Sequence, residues 1–282
     1  MLRNGLYIIA TPIGNLQDIS ERALSIMREV EVVACEDTRI TKKLFALLGI
    51  SLSKRFITYE DHNEDATTQK LIDIINSGQA IALLSDAGSP LISDPGYKLV
   101  NRCREQNIYV TAIPGACALI TALQLSGLPT NRFMFAGFIP NKDKARQDLF
   151  SELSPIDTTL VFYETAPRLL KTLQQAKNFF TERKIAIARE LTKMYEETVY
   201  GSIAEVIEYF TQNEPKGEFV LMIAPPREIH QYTLDDVRFQ LQKRLGETSL
   251  KTAVKEICEQ YNLNKNETYA FALELKNESS PR

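Results

Sequence analysis

The sequence predicts an α/β protein made of two α/β domains and a small helical extension at its C-terminal end. Short apolar runs rich in β-branched residues alternate with amphipathic helical patterns as far as Ala224. That alternation is typical of mostly parallel sheets covered by helices on both faces. Two breaks divide the chain, first at Gly127-Leu-Pro-Thr-Asn131 and then at Pro225-Pro226, where turn residues and prolines interrupt regular structure. The predicted domains are residues 1–126, 127–227 and 228–282.

The composition is that of a globular protein without a dominant charge. The chain has 282 residues, 44% of them apolar, and a formal net charge of −3. A nucleic-acid surface would therefore have to be a local basic patch. We find no signal peptide and no apolar run long enough to span a membrane, so we expect a cytoplasmic protein. The four scattered cysteines are expected to be reduced, and with only two histidines no metal site is expected.

The first domain reads as five strands, each followed by a helix. Asp18-x-x-Glu21 resembles a capping box at the start of the first helix. Gly49 is placed to end the second helix. The predicted strands are Leu6–Ala10, Val30–Cys35, Phe56–Tyr59, Ala80–Leu84 and Ile108–Ile113.

The stretch Leu83–Tyr97 is the segment around which the rest of this domain is organised. A buried strand ends at Ser85-Asp86-Ala87-Gly88, and Asp94-Pro95 is predicted to start the next helix, with Asp94 as its N-cap. Ligands bind at the carboxyl ends of strands in open α/β sheets. Turn residues this dense, with two aspartates, therefore favour a ligand-binding loop over a plain connection.

The second domain repeats the pattern with different spacing. Its predicted strands include Thr159–Tyr163, Lys184–Ala188 and Gly217–Ala224. Pro140–Arg146 reads as a basic loop. Its three cations, Lys142, Lys144 and Arg146, are candidates for phosphate contact, although such a run is often only a solvated surface.

The C-terminal extension is predicted to be helical throughout. A turn at Asn262-Leu-Asn264 separates two helices, and Asn264-x-x-Glu267 is predicted to cap the second. This resembles a helix-turn-helix, but a plain helical hairpin is favoured over a nucleic-acid-binding unit because the charges are balanced rather than basic.

Polar clusters follow five strands of the first domain, and the second domain adds Tyr163-Glu164 and Arg189–Lys193. Such ends gather at one edge of a parallel sheet and can line one cleft between the domains. The sequence has no dinucleotide-binding glycine fingerprint, no Walker A loop and no nucleophile elbow. The five clusters are Thr11–Asn15, Glu36–Arg39, Asp61–Glu64, Ser85–Asp94 and Pro114-Gly115.

Nine segments, in this order, resemble one family. They are Ala10–Asp18, Glu36–Arg39, His62–Glu64, Ser85–Gly96, Ile113–Gly115, Ser126–Thr130, Phe162–Glu164, Ala188–Lys193 and Lys216–Phe219. Together they are similar to the small-subunit ribosomal RNA 2′-O-ribose cytidine methyltransferases, which belong to the tetrapyrrole-methylase-like, class III S-adenosylmethionine (SAM) methyltransferases. The match covers essentially the whole chain. At one position the chain departs from the family, which often has a histidine where Pro167 precedes Arg168.

The resemblance implies SAM bound between two α/β domains of the tetrapyrrole-methylase type, in a homodimer. It implies that the acceptor is the 2′-hydroxyl of a cytidine in the decoding region of 16S rRNA in the small ribosomal subunit. With the strand-end positions it gives the predicted cofactor-binding residues: Pro12, Gly14, Ser85, Asp86, Gly88, Ser89, Pro114, Gly115, Ala116, Tyr163 and Ala224.

Methyl transfer to a ribose hydroxyl needs alignment of the reactants and a group that draws away the hydroxyl proton. The candidate catalytic residues are Glu36, Asp37, Arg39, Glu190 and Lys193. His62 is a candidate for substrate binding, together with the three basic residues named above. Each could instead be a cap, a loop residue or a surface ion pair.

Two other functions remain open at this point. A methylase acting on a tetrapyrrole precursor would share the fold and the SAM loops, but it would not need the helical extension or the basic loop. A ribosome-binding assembly factor without activity would not need the loops around Asp86 and Pro114-Gly115.

Overall fold

The computed structural model describes residues 2–60, 62, 64–226, 233–261 and 263–278. The chain forms two compact units, Met1–Pro226 and Arg227–Arg282. Within the described ranges, no helix combines the length and apolar character needed to cross a membrane.

The larger unit contains ten strands and eight helices among its described residues. The strands are β1 (Gly5–Ile9), β2 (Val32–Cys35), β3 (Arg55–Thr58), β4 (Ala80–Leu84), β5 (Val110–Ile113), β6 (Phe133–Phe138), β7 (Thr159–Thr165), β8 (Lys184–Arg189), β9 (Glu197–Ser202) and β10 (Glu218–Ile223). The helices are α1 (Glu21–Glu29), α2 (Thr38–Leu47), α3 (Glu64–Asn76), α4 (Tyr97–Glu105), α5 (Ala118–Leu125), α6 (Asp143–Leu153), α7 (Ala166–Ala176) and α8 (Ile203–Gln212).

The first sheet is parallel throughout, with the strand order β3-β2-β4-β1-β5. Successive side chains of β4 enter opposite cores: Ile81 and Leu83 pack on one face, Ala82 and Leu84 on the other. Burial on both faces is what a parallel sheet covered by helices requires. The central strands β4 and β1 therefore end at the same edge, where the loops after Leu84 and Ile9 meet.

The second sheet, with the order β6-β7-β10-β8-β9, is mixed rather than mostly parallel. Only β6 and β7 pair in parallel, and the remaining pairs are antiparallel. The expectation of mostly parallel sheets is therefore wrong for this domain. The reason is visible in the connection between β8 and β9, residues 190–196, which is too short for a parallel crossover.

Helix α5 joins the two sheets. It follows β5 of the first sheet, but its buried residues Leu119, Ala122 and Leu123 pack in one core with Ala186 and Val220 of the second. Because one apolar face is shared in this way, residues up to Pro226 form a single compact unit. The predicted fold class, α/β with two sheets and a helical C-terminal extension, is confirmed, and the division into domains at residues 126 and 127 stays a prediction.

Two predicted helix starts are wrong. Helix α1 is capped by Ser20, whose Oγ accepts from the Ala23 N–H at 3.1 Å, and not by Asp18. Helix α4 begins at Tyr97, and its N-cap residue is Gly96 rather than the predicted Asp94. Its free N–H groups are instead satisfied by a buried carboxylate of α3.

That carboxylate is Glu64, whose Oε1 accepts from the N–H groups of Gly96 and Lys98 at 3.4 and 3.3 Å. The Tyr59 hydroxyl also donates to it, at 3.1 Å. A helix N-terminus leaves unpaired donors and favours negative charge. An acceptor distant in sequence therefore satisfies donors at the start of this helix.

The described residues of the smaller unit form three helices, α9 (Arg238–Glu247), α10 (Leu250–Tyr261) and α11 (Lys265–Glu278). Its buried core is Val237, Leu241, Ala253, Val254, Ile257, Ala272 and Leu275. The predicted cap of the last helix is confirmed, since Asn264 Oδ1 accepts from the N–H groups of Asn266 and Glu267 at 2.9 and 3.3 Å. Nucleic-acid binding by this unit stays a prediction.

Candidate active site

A cavity of about 320 Å³ lies between loops of the two sheets in the larger unit. Its volume is within the range of about 300–1,000 Å³ that is usual for small-molecule sites. The first domain contributes Ile13, Asp86–Ser89, Ile92–Asp94, Cys117 and Ala118. The second contributes Phe138, Tyr163–Thr165, Ala188, Glu190, Leu191, Lys193 and Glu218–Val220.

Hydrogen bonds between three neighbouring loops shape the first-domain wall. Thr11 and Gly88 exchange both backbone hydrogen bonds, at 2.8 and 3.1 Å. The Ser85 hydroxyl donates to the Gly88 carbonyl at 2.9 Å, and the Ser89 hydroxyl donates to the Ala116 carbonyl at 3.1 Å. The loops after β4, β1 and β5 are therefore fixed to one another at the ends of adjacent strands.

Asp86 connects this wall to the charged cluster after β2. Its Oδ1 accepts from the Asp37 N–H at 3.1 Å. Burial raises the pKa of Asp86 above its usual value, and this hydrogen bond from Asp37 opposes the rise. Arg39 pairs with the Asp37 carboxylate at 2.6 Å, and its hydrogen bonds lower the pKa of Asp37 to about 2. Asp37 is thus ionised and poorly suited to accept a proton at neutral pH.

An ion pair lies on the second-domain wall. Lys193 Nζ donates to Glu190 Oε1 at 3.0 Å and lies 3.7 Å from a Glu218 carboxylate oxygen. Gly217 leaves the room that Glu190 occupies, because a Cβ built there would lie 2.2 Å from Glu190 Oε1. This contact explains the glycine of Lys216-Gly-Glu-Phe219, a segment that carried the family resemblance.

Left-handed backbone conformations gather around the cavity. Five described residues other than glycine have a positive φ, and four of them lie in two loops of the site. Leu91 and Ser93 have φ of 72° and 67°, and Glu190 and Thr192 have φ of 48° and 62°. Such conformations cost free energy and cluster at functional sites. Their position supports the assignment of this cavity as the site.

A buried charged network supports the wall at the end of β7. The fully buried Glu164 carboxylate pairs with Arg168 at 3.1 Å and accepts from the Thr172 hydroxyl at 2.7 Å. Thr172 in turn accepts from Arg146, which also pairs with Asp143 at 2.7 Å. The network ties the cavity wall to helices α6 and α7.

This network corrects the prediction of a basic substrate loop. Helix α6 begins at Asp143, so only the residues before it form a loop. Arg146 is 1% exposed and holds internal partners, so its guanidinium is not available to a phosphate. Lys142 and Lys144 are exposed, and phosphate contact by these two stays a prediction.

The other predicted residues fall into three groups. Lining the cavity are Asp86, Gly88, Ser89, Tyr163, Glu190 and Lys193. Adjacent to it in the same loops are Pro12, Gly14, Ser85, Pro114, Gly115 and Ala116, with Glu36, Asp37 and Arg39 behind Asp86. Away from the described lining are Ala224, at the opposite end of β10, and His62, whose exposed ring lies 3.2 Å from Glu60.

Cys117 and Phe138 line the cavity but were not predicted, whereas Ile92 and Asp94 lie in the Ser85–Asp94 cluster predicted to line the cleft but were not named individually as binding residues. Asp94 carried a signal that we assigned to helix capping. Phe138 lies beyond a register shift in β6, which its spacing in the sequence did not reveal. All four cysteines are free thiols. In the described part of the chain, no group of three or more His, Cys, Asp or Glu side chains is arranged to hold a metal ion.

Fold and cavity together define a protein of the tetrapyrrole methylase type. Residues 5–207 match the family described as Tetrapyrrole (Corrin/Porphyrin) Methylases. A structure of diphthine synthase superposes with a TM-score of 0.61 at 14% identity, covering 78% of this chain and 89% of that one. A structure of uroporphyrin-III-C-methyltransferase from Thermus thermophilus superposes with a TM-score of 0.54 at 20% identity, covering 78% of this chain and 94% of that one. The chain belongs to the tetrapyrrole methylase family.

Relatives along the full length are more specific. The ribosomal RNA small subunit methyltransferase I of Erythrobacter litoralis is 48% identical over 277 residues, which are 98% of this chain and 96% of the relative. The protein of the same name from Rickettsia prowazekii is 43% identical over 280 residues, which are 98% of this chain and 99% of the relative. These matches confirm the resemblance to small-subunit rRNA methyltransferases that the sequence segments indicated.

Proposed function

We propose that this protein is a SAM-dependent methyltransferase of small-subunit ribosomal RNA, and that it methylates the 2′-hydroxyl of a cytidine in the decoding region. The observation that carries the proposal is the Lys193–Glu190 pair on the wall of a cavity whose lining suits SAM. Identities of 43–48% along the whole chain support the RNA substrate over a tetrapyrrole. We also propose that it acts in the cytoplasm, which cell fractionation tests.

The residues of the cavity fit SAM. Its aromatic and aliphatic walls, including Phe138, Tyr163 and Phe219, offer an apolar surface for an adenine ring. The carboxylates of Asp86 and Asp94 suit the cationic centres and ribose hydroxyls of this ligand. When bound, SAM supplies an activated methyl group on a sulfonium, which needs no metal or further activation.

The protein's remaining task is to align the acceptor hydroxyl and manage its proton. Glu190 can accept that proton, and Lys193, 3.0 Å from its Oε1, can hydrogen-bond the developing oxyanion and hold Glu190 in place. Asp37 and Arg39 support this site indirectly, because the Asp37 N–H orients Asp86.

Methyl transfer from labelled SAM tests the proposal directly. The acceptors are small ribosomal subunits from cells lacking this enzyme, with uroporphyrinogen assayed in parallel, and the modified nucleotide is then mapped. We expect label in one cytidine ribose of the rRNA. Label in the tetrapyrrole alone would favour the alternative enzyme, and binding to subunits without label would favour an assembly factor.

We predict that Asp86→Ala lowers SAM affinity at least about tenfold, because this change removes a partly buried carboxylate from the cavity wall. Asp86→Asn keeps an acceptor for the Asp37 N–H but removes the charge, so it distinguishes the contribution of this hydrogen bond to SAM affinity from that of the charge. Calorimetry measures the affinity, with exposed Asp73→Ala as the control. A folded Asp86→Ala variant with unchanged affinity would remove Asp86 from the site.

We predict that replacing Lys142 and Lys144 with alanine weakens binding to small subunits and flattens its salt dependence. Removing one lysine–phosphate interaction should reduce the slope of log K against log salt by roughly 0.7–0.9. Filter binding across a salt series measures this, with Lys70→Ala/Lys177→Ala as a control of equal charge change. An unchanged slope would exclude these two lysines as phosphate contacts.

We propose that the protein is a homodimer. A depression lined by Ile120, Leu128 and Phe133 carries exposed apolar side chains at Ile120 and Phe133. Contiguous exposed apolar surface of this kind marks interaction sites. Light scattering should give twice the chain mass of 31.9 kDa. Phe133→Glu should yield monomers, whereas Leu52→Glu, at an exposed leucine elsewhere, should not.

A further inference from the structure

The connection between β8 and β9, residues 190–196, is held rigidly from several directions. Its backbone closes on itself through hydrogen bonds from the Lys193 N–H to the Glu190 carbonyl at 3.0 Å and from the Glu196 N–H to the Lys193 carbonyl at 3.1 Å. The Thr192 N–H donates to a Glu196 carboxylate oxygen at 2.6 Å. Leu191 is buried in the core shared with α5. A loop so constrained keeps its tip in one place.

The first domain holds the same loop from the other side of the cavity. The Asn15 N–H donates to the Thr192 hydroxyl at 3.0 Å. Gly14 packs so closely that a Cβ there would lie 2.6 Å from Lys193 Cγ. The tip is thus placed relative to both walls of the cavity.

This tip exposes two large apolar side chains next to a cavity residue. Met194 is 89% exposed and Tyr195 is 71% exposed, directly after Lys193, which lines the cavity. Isolated exposed apolar residues are ordinary. Two in succession directly after a cavity-lining residue need a reason, because the fold gains little burial from either.

We propose that Tyr195, flanked by Met194, is a stacking platform for the unpaired base of the target nucleotide. The inference rests on the proposed function, since a ribose can enter a cavity of this size only if its nucleotide leaves the RNA stack. Aromatic side chains are the usual surfaces on which such bases stack. Tyr195 lies two residues from Lys193, so their Cα atoms are at most about 7 Å apart. That span suits one nucleoside, with its ribose at Lys193 and its base at Tyr195.

Steady-state methylation of small subunits by Tyr195 variants tests this inference. Stacking is worth about 1–3 kcal/mol per base, so Tyr195→Ala should lower kcat/KM for subunits by roughly 5- to 150-fold. The SAM dissociation constant should not change. Tyr195→Phe should stay close to wild type, because the ring rather than the hydroxyl is used. Tyr200→Ala, which removes an exposed tyrosine from β9, is the matched control.

An RNA oligonucleotide of the target region with a fluorescent cytidine analogue at the acceptor position supplies a direct readout. Wild type and Tyr195→Phe should quench its emission on binding, and Tyr195→Ala should not. Activity within twofold of wild type in Tyr195→Ala, or an equal loss in Tyr195→Phe, would overturn the stacking role alone. Failure of the wild-type protein to methylate subunits would instead overturn the proposed function, and the inference with it.

Discussion

We expect Lys193→Met to lower methyl transfer to small ribosomal subunits by about 100- to 10,000-fold, the usual contribution of a positioned acid–base group. Methionine keeps the aliphatic stem that packs beside Gly14, so the change removes the ammonium and little else. Glu190→Gln should lower methyl transfer by a factor in the same range, because the amide cannot accept the hydroxyl proton. SAM affinity and the unfolding transition should stay near wild type in both variants.

Lys216→Met is the matched control, since Lys216 is an exposed lysine paired with Glu214 at 3.2 Å. Single-turnover methylation with saturating SAM separates the chemical step from binding. If both site variants keep near-normal turnover, the Lys193–Glu190 pair is structural. The proton acceptor would then have to be sought among the carboxylates near Asp86.

Replacing a glycine that contacts Glu190 tests the same pair without changing either of its side chains. Gly217→Ala should displace Glu190, because the new Cβ would lie 2.2 Å from its Oε1. Gly217 has φ of 89°, so alanine also adds backbone strain of about 1–2 kcal/mol. Gly49→Ala is the control: it adds backbone strain at φ of 64° but no steric contact, because the space around its Cβ is open. Activity should fall in Gly217→Ala only, and equal losses in the two variants would contradict the positioning argument.

The largest effect on stability is expected at Glu164. Glu164→Ala removes a buried carboxylate, so the Thr172 hydroxyl loses its acceptor and Arg168 loses its ion pair while keeping its hydrogen bond to the Ile139 carbonyl. Breaking a buried ion pair from one side costs about 3–5 kcal/mol, and we expect about 3 because Arg168 keeps some contact with water. Urea unfolding followed by circular dichroism measures the loss.

Two further variants make this test specific. Glu152→Ala, at an exposed glutamate of α6, should change the free energy of unfolding by less than about 0.5 kcal/mol. The double variant Glu164→Leu/Arg168→Met removes both charges and should cost less than Glu164→Ala, since no unpaired buried charge is left. A cost below about 1 kcal/mol for Glu164→Ala would show that this network does not stabilise the second domain.

Sequence patterns were sufficient wherever a local rule decides the structure. Apolar period and turn residues placed the strands of the first domain within about two residues, as at Ala80–Leu84. Asn264 caps its helix as expected because an N-cap bonds residues two and three positions ahead. Strand ends in one sheet also brought Asp86 and Ser89 to one cavity wall.

Prediction failed where a partner distant in sequence replaced a local one. Glu64 accepts hydrogen bonds from the start of α4, and the N-cap position falls on Gly96 rather than on Asp94, which lines the cavity. Arg146 lies in a basic run but is buried against Thr172 and Asp143. Neither outcome can be derived from neighbours in the chain, because each depends on which polar groups packing leaves to be satisfied.

The sequence by itself determined the α/β class, the helical extension and the loops that form the first-domain wall, because these follow from the local periodicity of apolar residues and from turn residues. It also determined the family, because nine characteristic segments occur in the expected order. Only the tertiary structure decided the mixed order of the second sheet, the position of the Lys193–Glu190 pair on the cavity wall, and the exposure of Tyr195 beside it. These features arise from contacts between segments far apart in the chain, such as Gly14 with Lys193 and Gly217 with Glu190. The physical reason is that shape and charge must be satisfied in three dimensions, where sequence spacing no longer measures distance.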